Sequence, residues 1–84
     1  MRYARNPTVL WRSTTSGPVV LPLDAPSPEL LGGLAAVLWE LLDAAGVPDD
    51  LERDAEAFVG HRVSVRSALL AMEERGLVVA RPPT

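Results

Sequence analysis

The sequence predicts an α+β fold of three strands followed by three helices around one core, and three observations predict it. Residues 8–23 are rich in β-branched and large apolar residues and are broken by Thr15-Ser16-Gly17. Residues 34–42 carry one wide apolar stripe at helical spacing, and two further apolar stripes downstream are each closed by a glycine. Runs of strand followed by runs of helix fit a sheet and a helical layer sharing one interior.

Thr8–Thr14, TVLWRST, is the first expected strand, and Thr15-Ser16-Gly17 the hairpin loop that returns the chain. Pro18–Leu23 is the second. Alternation would turn Val19, Leu21 and Leu23 toward the apolar helix, while Pro22, which lacks an N–H, suits a position without a ladder partner. Asp24–Pro28 is a turn-forming connection, and Glu29–Gly32 leaves room for one short third strand at the sheet edge.

The first helix is expected over Gly32–Gly46. Leu34, Val37, Leu38, Leu41 and Leu42 follow the i, i+3, i+4, i+7 and i+8 spacing, and Gly46 supplies a permissive C-terminal cap. Pro48, Asp49 and Asp50 suit the first turn of a second helix, whose buried stripe would be Leu51, Ala55, Phe58 and Val59, with Gly60 at its end. Ser64 is placed to cap the third helix, with apolar positions Val65, Ala68, Leu69 and Met72. Gly76 then stops it, and Leu77 would contact Met72 in a Schellman ending. Val78 and Val79 finish the core edge. Residues 1–84 are expected to form a single domain, with 1–7 and 80–84 as flexible tails.

A chain of 84 residues buries only about 60% of the surface it exposes when unfolded. With no cysteine, neither disulfides nor thiolate metal sites reinforce that small core. The N-terminal stretch has no apolar run suited to a secretory signal, and Glu40 and Asp43 break the apolar helix short of a membrane span. The expectation is a cytoplasmic, soluble protein without a membrane partner. Net charge is −3, and all eight basic residues are arginine. Residues 49–60 are acidic and residues 61–84 basic, but the overall balance argues against a nucleic-acid partner held by its phosphates.

Reactive groups do not converge in the sequence. The single histidine, His61, lies between helices without a second imidazole as metal ligand or activating base. Asp49–Glu56 lacks the glycine and spacing of a calcium loop, and Gly32-Gly33 lacks the pattern of a phosphate loop. No catalytic residue, metal or cofactor is expected. Trp11 and Trp39 lack a basic stripe between them and read as core or core-margin residues rather than base-stacking platforms.

The third helix carries a second stripe, Arg66, Leu70, Glu73 and Leu77, that mixes charge with large apolar residues. One reading is a groove that Arg62 and Arg66 make locally positive, suited to an acidic or amphipathic peptide. The other is that Leu70 widens core contact and the charges are ordinary surface.

The succession RNPTVLWR, VVLPLD, ELLGGLAAVLWELLD and SVRSALLAMEERGLVV resembles the PqqD-like family, the RiPP recognition element, across nearly the whole chain. Gly33, Ala36, Leu38, Trp39, Glu40, Leu41, Leu42 and Asp43 carry the most specific part, upstream of the run through Val65, Leu69, Met72, Gly76 and Leu77. The resemblance implies a winged-helix-like, three-stranded antiparallel sheet packed on three helices. It also implies a noncatalytic peptide chaperone that binds the leader of a ribosomally made precursor by strand addition and presents it to a RiPP-modifying enzyme or leader peptidase. Carried over by position, the edge is Glu29, Leu30, Leu31 and Gly32, and the groove wall is Arg62, Arg66, Leu70 and Glu73. Leu30 or Leu31 with Leu70 would form an apolar pocket, and Arg66 or Arg62 would meet a leader carboxylate.

Two other readings compete. A winged-helix DNA-binding regulator has similar strand and helix content, but the third helix mixes Arg66 with Glu73 and Glu74. A structural adaptor would bind a folded protein and no linear peptide.

Overall fold

A computed structural model describes residues 1–82. The elements are β1 (Arg2–Arg5), β2 (Leu10–Thr14), β3 (Gly17–Leu21), β4 (Glu29–Leu30), α1 (Gly33–Leu41), α2 (Pro48–Val59), α3 (Val65–Glu74) and β5 (Val78–Arg81). Strands β2, β3 and β4 form an antiparallel sheet in that order, while β1 and β5 pair in a separate two-stranded ribbon. The α+β class and the three-stranded antiparallel sheet agree with the expectation from sequence.

The ribbon corrects the reading of the chain ends. Residues 2–5, expected in a flexible tail, run antiparallel to Val78–Arg81, with Arg5 opposite Val78 and Arg2 opposite Arg81. Ala80 and Arg81 therefore belong to a strand, and residues 83 and 84 lie outside the described part. Tyr3 is buried and anchors β1: its N–H donates to the Gly46 carbonyl at 2.7 Å, and the Gly46 N–H returns to the Tyr3 carbonyl at 2.9 Å. Gly46 thus ties β1 to the α1–α2 connection instead of capping α1.

Helix α1 stops with Leu42 as its C-cap, four residues before Gly46, because another group satisfies its last carbonyls. Arg5 donates through Nε and Nη2 to the Trp39 carbonyl at 2.8 and 2.6 Å. A cation at this end also favours the helix dipole. The same guanidinium lies 4.3 Å from the Trp11 ring centroid, and Trp11 meets Trp39 edge to face at 5.7 Å. Trp39 is wholly buried and Trp11 lies at the margin.

The β2–β3 hairpin turns at Thr15-Ser16, with Thr14 opposite Gly17. Gly17 has a φ of +128°, and a Cβ there would lie 3.1 Å from the Leu31 carbonyl oxygen, so both backbone and space favour glycine. The faces of β3 are the reverse of the expectation: Pro18 and Val20 are buried, Val19 and Leu21 are half-buried on the opposite side, and Leu23 lies beyond the strand in solvent. Val20 pairs with Trp11, and the face bearing Trp11 is the one that meets Trp39. Because side chains alternate, that pairing commits the whole strand.

Helix α2 begins at Pro48 and ends at Gly60, which has a φ of +83°, as its sequence signals predict. Leu51 and Ala55 are buried as expected, whereas Phe58 is 76% exposed. Phe58 has the phase of the buried stripe but stands at the wall of an open slot lined also by Pro18, Ala36, Val37, Glu40 and Leu41. Helix α3 buries Val65, Leu69 and Met72. Ser64 occupies its N-cap without a side-chain hydrogen bond. Its end has the expected geometry: Leu77 N–H donates to the Met72 carbonyl at 2.9 Å, and Gly76 N–H to Glu73 at 3.0 Å. The three helices and the inner face of the larger sheet enclose Leu38, Trp39, Val20, Leu69 and Leu77.

Candidate functional site

The register of β4 decides what its open edge offers. Val20 faces Glu29 and Val19 faces Leu30, and Leu31 N–H donates to the Pro18 carbonyl at 2.9 Å. In an antiparallel ladder, hydrogen-bonded and non-hydrogen-bonded pairs alternate. Leu31 bonds toward β3, so the Leu30 N–H and C=O point the other way, out of the sheet edge. Among the described residues no strand pairs with that edge.

Side chains on β4 alternate with it. Leu30 is 52% exposed and shares the outer sheet face with Val19, its cross-strand neighbour. Glu29 lies on the inner side, where it pairs with Arg75 at the C-cap of α3. Both partners are about half exposed, so the pair is a solvent-screened bridge between β4 and α3. Beneath it a cleft of about 470 Å³ is lined by Thr8, Leu23, Asp24, Glu29, Arg75 and Gly76 among others. Asn6 buttresses this end of α3, its Nδ2 donating to the Gly76 carbonyl at 2.9 Å.

The residues expected to form one groove are divided between two sides of α3. Arg66 donates to Asp49 Oδ1 at 2.9 Å, at the start of α2. Arg75, nine positions later, reaches β4. At about 100° per residue, nine positions amount to a half-turn offset, so these two arginines point to opposite flanks. Leu70 and Glu73 follow Arg66 at i+4 and i+7 and share its flank, away from the β4 edge. Leu70 is exposed, Glu73 is exposed, and Arg62 is exposed in the α2–α3 connection. Glu29 and Leu30 are on the edge as expected, but Leu31 is buried in the core rather than lining a pocket, and Gly32 is the N-cap of α1.

The flank of α3 that meets β4 instead carries Arg75 and, one turn earlier, Ala71. Arg75 is not among the site residues expected from the sequence. Its half-turn offset from Arg66 was the available signal. Among the described residues no cluster of three or more His, Cys, Asp or Glu side chains is arranged to hold a metal ion, and His61 lies exposed between α2 and α3. No described helix is long and apolar enough to cross a membrane.

Comparison of the chain with protein-family models, curated proteins and solved structures finds no match.

Proposed function

We propose that this domain is a noncatalytic binder of an extended peptide, taken up as an additional strand on β4. The leader of a ribosomally made precursor is the guest that the PqqD-like resemblance suggests, and a cytoplasmic modifying enzyme or leader peptidase is the partner to which it is presented. The observation that carries the reading is the outward-facing N–H and C=O of Leu30 on an unpaired edge beside α3. A guest strand would set alternate side chains beside Leu30 on the outer face and toward Arg75 on the inner one. The apolar contact expected of Leu30 or Leu31 with Leu70 thereby rests on Leu30 alone, and the charged contact expected of Arg66 or Arg62 passes to Arg75.

Two backbone hydrogen bonds at Leu30 contribute about 0.5–1.5 kcal/mol each. Burying the exposed part of Leu30 adds about 1 kcal/mol. Backbone pairing at so short an edge is therefore not sufficient alone, and side chains of the guest must supply the remainder. A DNA-binding reading gains little from α3, because Arg66 and Arg75 lie on opposite flanks of the helix and form no common basic face.

The test is titration of the full chain with the synthetic leader of a precursor encoded beside its gene, followed by calorimetry and tryptophan emission. Saturable binding that Leu30→Pro weakens at least about tenfold is the expected result, since proline removes the outward N–H and the leucine side chain. Ser13→Pro on β2, the other open edge of the sheet, serves as the control and is expected to leave binding intact. Absence of saturable binding, or loss of binding in the Ser13 variant alone, refutes the assignment to β4.

A further inference from the structure

We infer that the slot between α1 and α2 is a separate docking surface for a basic, amphipathic segment of a partner protein. It does not depend on the peptide-edge reading. Phe58, in the last turn of α2, is the most exposed aromatic residue of the chain at 76% of its surface. It forms one wall of a slot of about 290 Å³ whose other lining residues are Pro18, Ala36, Val37, Leu41 and Glu40. Five of the six lining residues are apolar, so the slot accepts a large apolar side chain and adds one carboxylate at its margin.

Charge around the slot selects the occupant. Asp54 lies one turn before Phe58 on the same face of α2 and is more than half exposed. Arg53 is the only base in α2, against Asp49, Asp50, Glu52, Asp54 and Glu56. It bonds Asp50 at 3.2 Å and stands 4.0 Å from Asp54. Glu40 Oε1 has only a long 3.4 Å contact from Ser13 Oγ among the described residues. An apolar anchor flanked at helical spacing by arginine or lysine would meet Glu40 and Asp54 while its apolar group fills the slot. A second copy of this chain fits less well. Its exposed Leu70 has Arg66 one turn away, but Arg66 is engaged by Asp49, and Glu73 and Glu74 would be brought toward Glu40.

The experiment uses the full chain and two fluorescein-labelled synthetic helical peptides, each roughly fourteen residues long, with the same leucine and phenylalanine face. One carries lysine and arginine a turn either side of the anchor, and the other carries glutamate there. Anisotropy titration is expected to show the basic peptide binding at least about tenfold tighter than the acidic one, with Phe58→Ser weakening it at least about tenfold. Glu40→Lys is expected to narrow the preference. Because Phe58 is largely in solvent, its serine variant keeps the fold, which thermal unfolding checks. Equal affinity for the two peptides, or indifference to Phe58→Ser, overturns the proposal. A wild-type dimer in sedimentation that Phe58→Ser converts to monomer also overturns it and gives the slot to a second copy.

Discussion

Removing the Arg5 side chain tests the least expected element of the fold, because that side chain joins the N-terminal strand to the end of the central helix. In Arg5→Ala the Trp39 carbonyl loses the donors at 2.8 and 2.6 Å, and Trp11 loses the cation stacked 4.3 Å from its ring centroid. Hydrogen bonds to a charged group contribute about 1.5–3 kcal/mol. The cation–π contact adds about 0.5–1 kcal/mol, and the favourable charge at a helix C-terminus about 0.3–1 kcal/mol. These contributions share one guanidinium and do not add fully, which sets the expected loss at about 2–3 kcal/mol.

For a domain of this size each kcal/mol corresponds to about 4–8 °C in Tm, so the variant should melt some 10–20 °C below the parent. Urea unfolding followed by tryptophan emission measures the loss directly, because both tryptophans lie against Arg5. Arg5→Lys should recover the charge but not the forked pair of bonds, and should fall between the two. A loss under about 0.5 kcal/mol for Arg5→Ala would refute the account of Arg5 as the tie between β1 and the end of α1.

Leu69→Ala, in the wholly buried stripe of α3, is expected to cost about 2–5 kcal/mol in denaturant unfolding, enough to leave so small a domain largely unfolded at 37 °C. Gly17→Ala forces a φ of +128° on a residue with a side chain and brings a Cβ to 3.1 Å from the Leu31 oxygen. The expected destabilisation exceeds about 1 kcal/mol, and a neutral effect would argue against the hairpin geometry. Arg75→Gln breaks only a half-exposed pair and should change stability by less than about 1 kcal/mol, while altering affinity for guests that differ in charge. Equal affinities of parent and variant for glutamate- and glutamine-bearing guests would remove Arg75 from the proposed binding edge.

The ends of α2 and α3, the phase of their buried stripes and the β2–β3 turn were legible in the amino-acid order because each is a local property, whereas α1, expected to run to Gly46, stops at Leu42 where Arg5 meets its last carbonyls. The stripe through Val65, Leu69 and Met72, the Gly76 ending and the Pro48 start all form where nearest-neighbour chemistry puts them. Pairing across long separations was not. The four-residue strand Arg2–Arg5 has no periodic pattern of its own, and its partner lies at the far end of the chain. The inward face of β3 carries Val20, the buried cross-strand partner of the Trp11 that meets Trp39, a choice of phase that alternation alone describes equally well either way.

The candidate site divides along the same line. Sequence alone determined that an edge strand precedes three amphipathic helices and that the third carries mixed charge and apolar side chains outside its core stripe. Only tertiary structure decided which flank of that helix meets the edge, because the rotation of α3 about its axis is fixed by burying Val65, Leu69 and Met72 together against the other layers. That rotation turns Arg75 toward β4 and Arg66 toward Asp49. A helix can place the same residues on either side of a cleft, and the packing of its buried stripe makes the choice.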